Sequence, residues 1–180
     1  MQIIQGTTDF SLSHKSVVTI GKFDGIHLGH QKLFERVLAH KEKGLTAVIF
    51  TFNPAPEAFF SGKEMQELMS REEKLAAFEK LGIDVLIEFP MNRETAATEP
   101  AYFVREYLTN KLKAAVIIAG TDISFGDKGA GNAALLREMS EACGYRVEII
   151  DKVSVGGEEV SSTLVRETVG TVSYTHLRAH

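Results

Sequence analysis

A β-favouring run, Val17-Val18-Thr19-Ile20, passes at once into Gly21-Lys22-Phe23-Asp24-Gly25-Ile26-His27-Leu28-Gly29-His30, and Leu33, Phe34, Val37 and Leu38 follow at helical spacing. The stretch therefore predicts a strand, a glycine-rich turn and a helix N-terminus, the opening of a βα unit. The free N–H groups of a first helical turn, together with the positive end of the helix dipole, attract anions such as phosphate. Gly21, Gly25 and Gly29 let a ligand approach the backbone where a Cβ would obstruct it. His27 and His30 are three apart and share a helix face. They read as solvated or capping residues, as zinc ligands, or as groups aimed at a bound phosphate. Zinc would need further ligands at suitable spacing, and Cys143 is the only cysteine. No Gly-Lys-Ser/Thr ends the turn, so it is not a Walker P-loop.

The pattern of strand and helix repeats along the chain. Thr46 to Phe52 is a near-continuous apolar and β-branched run, suited to a strand buried on both faces of a parallel sheet. Pro54 and Pro56 break it. Ser70, with Glu73 at the third position, predicts a capped helix to about Leu81, stopped by Gly82. Val85 to Phe89 reads as a strand ended by Pro90. Pro100 opens a helix whose Phe103, Tyr107 and Leu108 face the core. Ala114 to Ala119 reads as a strand, Ala133 to Cys143 as a helix and Arg146 to Ile150 as a strand. A hairpin around Gly156-Gly157 and a last helix from Ser161 complete the chain, while Ile3-Ile4 suggests an edge strand near the start. The fold class is α/β, a Rossmann-like and mostly parallel sheet flanked by helices. The turns after Ile20, Phe52, Phe89 and Ala119 then share the carboxyl edge, where ligands sit.

At 180 residues the chain is most simply one domain, and it can bury about 70% of its unfolded surface. A net charge of −4 gives no general footprint for nucleic acid. No apolar run is long enough for a membrane span, and no signal peptide is apparent. One cysteine leaves no internal disulfide framework and suits the reducing cytoplasm.

Val160-Ser161-Ser162-Thr163-Leu164-Val165-Arg166 is the second dense signal. One hydroxyl would cap a helix. Here there are three, followed by a guanidinium able to hold phosphate oxygens bidentately. The other two constellations are Thr51-Phe52-Asn53-Pro54-Ala55-Pro56 and Gly120-x-Asp122-x-x-Phe125-Gly126, the latter continued by Gly129, Gly131 and Asn132. Each also reads structurally, as a strand exit and as a glycine-rich loop around a buried Phe.

Together these motifs resemble a known family. Gly21-x-Phe23-Asp24-Gly25-x-His27-x-Gly29-His30 looks like the HxGH signature of the nucleotidylyltransferases, and its Phe-Asp-Gly-x-His form most resembles the bacterial FMN adenylyltransferases, or FAD synthetases. Val160 to Arg166 is similar to that family's Ile-Ser-Ser-Thr-x-Ile-Arg, and the other two constellations to its Thr-Phe-x-Pro-His-Pro and Gly-x-Asp-Phe-x-Phe-Gly. Ala55 stands where the family usually has histidine, and Ile123-Ser124 replace an aromatic and basic pair.

The resemblance implies transfer of AMP from ATP to FMN, giving FAD and pyrophosphate, with Mg²⁺ arriving on ATP rather than held by a protein ligand set. It implies catalytic roles for His27, His30, Ser162, Thr163 and Arg166. ATP would be bound by these with Gly21, Phe23, Asp24, Gly25 and Ser161, and FMN by Phe52, Asn53, Pro54, Pro56, Gly120, Asp122 and Phe125. The residues themselves favour Asp24 as a turn residue over a polar group near the phosphates, and Lys22 could reach phosphate. The family's full-length enzymes add a riboflavin kinase domain. Here residues 1–172 are expected to form the adenylyltransferase domain, with 173–180 an unrelated tail and the kinase domain absent. A flavin- or nucleotide-binding module without turnover, or a transferase for another phosphate ester, remain alternatives.

Overall fold

The structure, a computed structural model, describes residues 1–23, 28–54, 70–151 and 165–167. Its strands are β1 (Gln2–Gln5), β2 (Ser16–Ile20), β3 (Thr46–Asn53), β4 (Val85–Pro90), β5 (Ala114–Gly120), β6 (Arg146–Ile150) and β7 (Val165–Glu167). They form one sheet in the order β1-β4-β3-β2-β5-β6-β7. Every neighbouring pair is parallel except β6 with β7. All of β2 is buried, which explains why Val17, Val18 and Ile20 point apolar side chains to both faces of the sheet.

Helices cover both faces. On one lie α1 (Leu28–Lys41) and α2 (Arg71–Leu81), whose Leu33, Phe34, Val37 and Phe78 pack against Val17, Ile49 and Leu86. After the short α3 (Arg93–Ala96) and α4 (Pro100–Tyr102), a π-helical stretch Phe103–Lys111 and then α5 (Ala133–Cys143) cover the other face. There Phe103, Leu108 and Leu136 meet Val18, Phe50 and Ile117. The chain steps outward from β2 to β3 and β4, then returns to place β5 on the far side of β2. Such a reversal opens a crevice at the carboxyl ends of the two strands. The turns after Ile20 and Gly120 flank it.

Local chemistry fixes the boundaries. Ser70 and Glu73 cap each other across the first turn of α2, at 3.1 Å and 2.9 Å, and Gly82 closes the helix at φ 98°. The helix expected after Pro100 departs from α geometry. The Leu112 N–H donates to the Tyr107 carbonyl and the Thr109 hydroxyl to the Val104 carbonyl, both five residues back.

The expected last helix is corrected. Val165–Glu167, which includes Arg166, forms a strand antiparallel to β6, with Ile149 opposite Arg166 and Ile150 opposite Val165. The bare edge of β6 offers backbone partners that outweigh a modest helical preference, and β-branched Val165 suits a strand. The predicted hairpin around Gly156-Gly157 and the tail 173–180 lie outside the described residues.

Candidate functional site

The turn after β2 is built by packing as much as by glycine freedom. The Gly21 N–H donates to the Phe50 carbonyl at 3.1 Å, and the Thr51 hydroxyl donates to the Lys22 carbonyl at 3.1 Å. Phe23 turns through φ 47° and sends its ring into the core, 5.3 Å from Phe34 and 6.4 Å from Phe78. A Cβ on Gly21 would sit 2.8 Å from Phe23 Cζ, so the glycine makes room for a side chain of the protein itself. The half-buried His30, in the first turn of α1, meets the Phe23 ring edge-on at 5.1 Å. With its ring buried, Phe23 can offer a nucleotide only its backbone. Asp24, Gly25 and His27 lie outside the described residues, as do Pro56, Ser161, Ser162 and Thr163.

On the opposite face of the sheet, the carboxyl edge opens into a cavity of about 570 Å³. Its walls come from four elements: Phe52 from the end of β3, Phe89 from β4, Phe103 from the π-helical stretch and Phe125 from the loop after β5. The rings brace one another, Phe89 and Phe103 at 5.7 Å, Phe103 and Phe125 at 5.4 Å, Phe52 and Phe89 at 6.1 Å. Met91, Thr95, Ala96, Ser124, Gly126 and Gly129 complete the described lining, and Lys22 and Lys128 supply its cations. The cavity is thus apolar at depth and positive at its margin.

The loop that carries Phe125 and Lys128 is pinned at several points. Phe125 and Gly131 exchange backbone hydrogen bonds of 3.2 Å and 2.7 Å, and the Asp127 N–H donates to the Thr98 carbonyl at 2.7 Å. Gly126 has φ 80°, and any side chain there would meet Pro100. Asn132 caps α5 through the Leu135 N–H at 2.9 Å.

The expected flavin-contacting residues divide on this geometry. Phe52 and Phe125 line the cavity. Asn53 and Pro54, joined by a cis peptide bond, are exposed at the end of β3 and outside its described lining. Gly120 and exposed Asp122 stand beside the crevice, where a Cβ on Gly120 would lie 3.1 Å from Asp122 Oδ1. Sequence reasoning missed Lys128, Met91 and Thr95 as lining residues and placed Phe103 only in the core. A lysine between Gly126 and Gly129 was the available signal for Lys128, which the structure holds at φ 58°.

Charge elsewhere is tightly held. Glu148 on β6 is buried, and Arg36 and His40 of α1 both donate to its carboxylate. Burial alone would raise its pKa, but the hydrogen bonds from His40 and Arg36 prevail and lower it to about 2. Arg71 pairs with Glu88 at 2.7 Å, which raises the guanidinium pKa against the lesser effect of burial. Burial raises the Tyr145 pKa, and its hydroxyl donates to the Leu136 carbonyl at 2.7 Å. Among the described residues no three His, Cys, Asp or Glu side chains gather to hold a metal ion. Nor does any described helix have the length and apolarity to cross a membrane.

Known proteins share this architecture. The family profile described as FAD synthetase matches residues 9–164. The bifunctional riboflavin kinase/FMN adenylyltransferase of Haemophilus influenzae is 33% identical over 173 residues, which cover 94% of this chain and 56% of that protein. The protein of the same description from Listeria monocytogenes is 31% identical over 166 residues, 91% of this chain and 52% of the other. A putative one from Geobacillus thermodenitrificans is 33% identical over 156 residues, 86% and 82% respectively. The chain spans about half the length of the first two. The crystal structure of a macrolide-efflux protein from Streptococcus pneumoniae has the same fold, with a TM-score of 0.74 at 26% identity over 90% of this chain and 54% of that one.

Proposed function

The chain belongs to the FAD synthetase family, and from this premise we propose that it transfers AMP from ATP to FMN, releasing pyrophosphate and FAD. The observation that carries the reading is the phenylalanine-walled cavity at the carboxyl edge, with Lys22 and Lys128 at its margin. A planar, apolar ring system with an anionic tail suits such walls and such a rim. At about 570 Å³ the cavity falls within the roughly 300–1,000 Å³ of small-molecule sites.

The chemistry asks little of the protein beyond placement. A phosphate monoester is already an anion, so the FMN phosphate attacks the α-phosphorus in line without a nucleophilic side chain or a strong base. Negative charge grows on the departing pyrophosphate. We assign its neutralisation to His27, His30, Ser162, Thr163 and Arg166, with Gly21, Phe23, Asp24, Gly25 and Ser161 shaping the ATP side. Holding two reactants in line contributes about 7–11 kcal/mol. Mg²⁺ enters as part of the MgATP substrate. ATP as substrate and a single cysteine suit a cytoplasmic setting.

Incubating the pure chain with FMN, ATP and Mg²⁺ tests the proposal: FAD and pyrophosphate should appear in equal amounts. Flavin binding without either product would make the chain a binding module. Turnover with another phosphate ester in preference to FMN, in a panel of acceptors, would reassign the substrate.

A further inference from the structure

Of the two buried carboxylates among the described residues, Glu88 and Glu148, the deeper is Glu148, at 1% exposure. Arg36 donates through Nε at 2.7 Å and through its terminal nitrogen at 3.0 Å, and His40 Nε2 donates at 2.7 Å. Clusters of this kind are poor stabilisers, because apolar residues of similar volume commonly match or exceed them. What they supply is direction. Along the rest of α1, Leu33, Phe34 and Val37 are apolar and do not oppose rotation strongly, and Lys41 ties only the last residue of the helix to the Gly82 carbonyl and Asp84.

The cluster spans two parts of the chain with a shared purpose. Arg36 and His40 lie on the helix whose first turn carries His30. Glu148 lies on β6, whose outer neighbour β7 places Arg166 opposite Ile149. We propose that Glu148 is a positioning residue for ATP: it sets the rotation of α1 over the sheet, and so where the His30 imidazole stands relative to the β6–β7 edge. This inference rests on the adenylyltransferase reading above. A helical side chain ends about 5–6 Å from the helix axis, so a 20° turn of α1 would carry the imidazole by about 2 Å. A misplacement of about 1 Å can cost 100-fold in rate. The phenylalanine-walled cavity belongs to the opposite face and to other elements, so flavin affinity does not depend on the clamp.

The test uses the full chain with Glu148→Gln, and with a triple apolar replacement Arg36→Met, His40→Phe and Glu148→Leu, at a temperature well below the Tm of each. Glu148→Gln should lower kcat by about 10–100-fold and weaken MgATP several-fold, with FMN affinity within twofold of the parent. The triple variant should regain thermal stability relative to Glu148→Gln without regaining kcat. Unchanged kcat in Glu148→Gln, an equal loss of FMN binding, or recovery of both stability and kcat in the triple variant would each overturn the proposal. A parent chain that binds MgATP but forms no FAD would refute the adenylyltransferase reading only. Direct titration of MgATP into parent and Glu148→Gln would then decide the clamp, equal affinities refuting it.

Discussion

Gly21→Ala separates two reasons for a glycine at the mouth of the proposed nucleotide site. If the residue is there so that a ligand can approach, the substitution harms binding and spares folding. The structure points to the second reason. Gly21 does not have a left-handed φ, so alanine meets no backbone strain. Its Cβ would instead lie 2.8 Å from Cζ and 3.0 and 3.1 Å from the two Cε atoms of Phe23. That ring is 1% exposed and held between Phe34 and Phe78, so it has little room to retreat. Overpacking of this kind costs about 1–3 kcal/mol. For a chain of this size that is a loss of about 2–12 °C in Tm. Phe23→Leu removes the atoms that collide, at a separate cost of about 1–2 kcal/mol for the lost ring contacts. Gly21→Ala should therefore cost at least about 1 kcal/mol less in the Phe23→Leu background than alone. Urea denaturation of the four proteins without ligand closes the cycle. Additive penalties, or a Gly21→Ala chain as stable as the parent but weak for ATP, would refute the packing account.

His30→Ala should lower turnover about 100-fold while leaving FMN affinity within twofold, measured by FAD formation and flavin fluorescence; an equal loss in both would mark a structural histidine. Phe52→Ala, at a half-buried ring on the cavity wall, should raise the Kd for FMN about 10–100-fold with the KM for ATP unchanged, and a change confined to ATP would contradict the placement of the flavin. Glu148, with its pKa lowered from 4.5 to about 2, favours the folded state wherever the carboxylate is ionised. That stabilisation is complete above about pH 4.5 and is lost as pH falls towards 2. Melting temperatures across this window should therefore drop more steeply for the parent than for Glu148→Gln; parallel curves would show the ion cluster to be unlinked to folding.

Much of this architecture was legible because the signals were local. Ser70, Glu73 and Gly82 mark both ends of α2 by hydrogen bonds within a few residues, and the uninterrupted apolar run from Thr46 announces a strand covered on both faces. Non-local competition was not legible. Val165 to Glu167 chose β6 over a helix because an unpaired strand edge lay beside it, a fact stored far upstream in Arg146–Ile150. The π-helical stretch likewise shows itself in backbone bonds such as that from the Leu112 N–H to the Tyr107 carbonyl, which no periodicity reveals. The aromatic cavity gathers single residues from four elements: Phe52 and Phe125 stood out through their motifs, while Phe103 appeared in the sequence as an ordinary core phenylalanine and Phe89 as the end of a strand. Glu148 was invisible for the same reason: its meaning lies in Arg36 and His40, more than 100 positions away.

The turn after β2 is where the two faces of the molecule meet. Lys22 turns towards the aromatic cavity and Phe23 towards the core beneath α1, continuing the alternation of the strand past its last residue. The Thr51 hydroxyl fixes the Lys22 carbonyl, and the Gly21 N–H fixes the turn to β3. A ligand seated among the phenylalanines and another seated at the head of α1 therefore lie on opposite sides of the Gly21-Lys22-Phe23 backbone. For a reaction that joins the phosphate of one to the phosphate of the other, the bond can form only where that backbone lets them touch. On the proposed reading this sets Lys22 beside the new phosphoanhydride. Lys22→Met should therefore lower the rate of FAD formation more than it lowers the affinity for FMN or for ATP measured separately. Equal affinities together with an unchanged rate would place the junction elsewhere along the crevice.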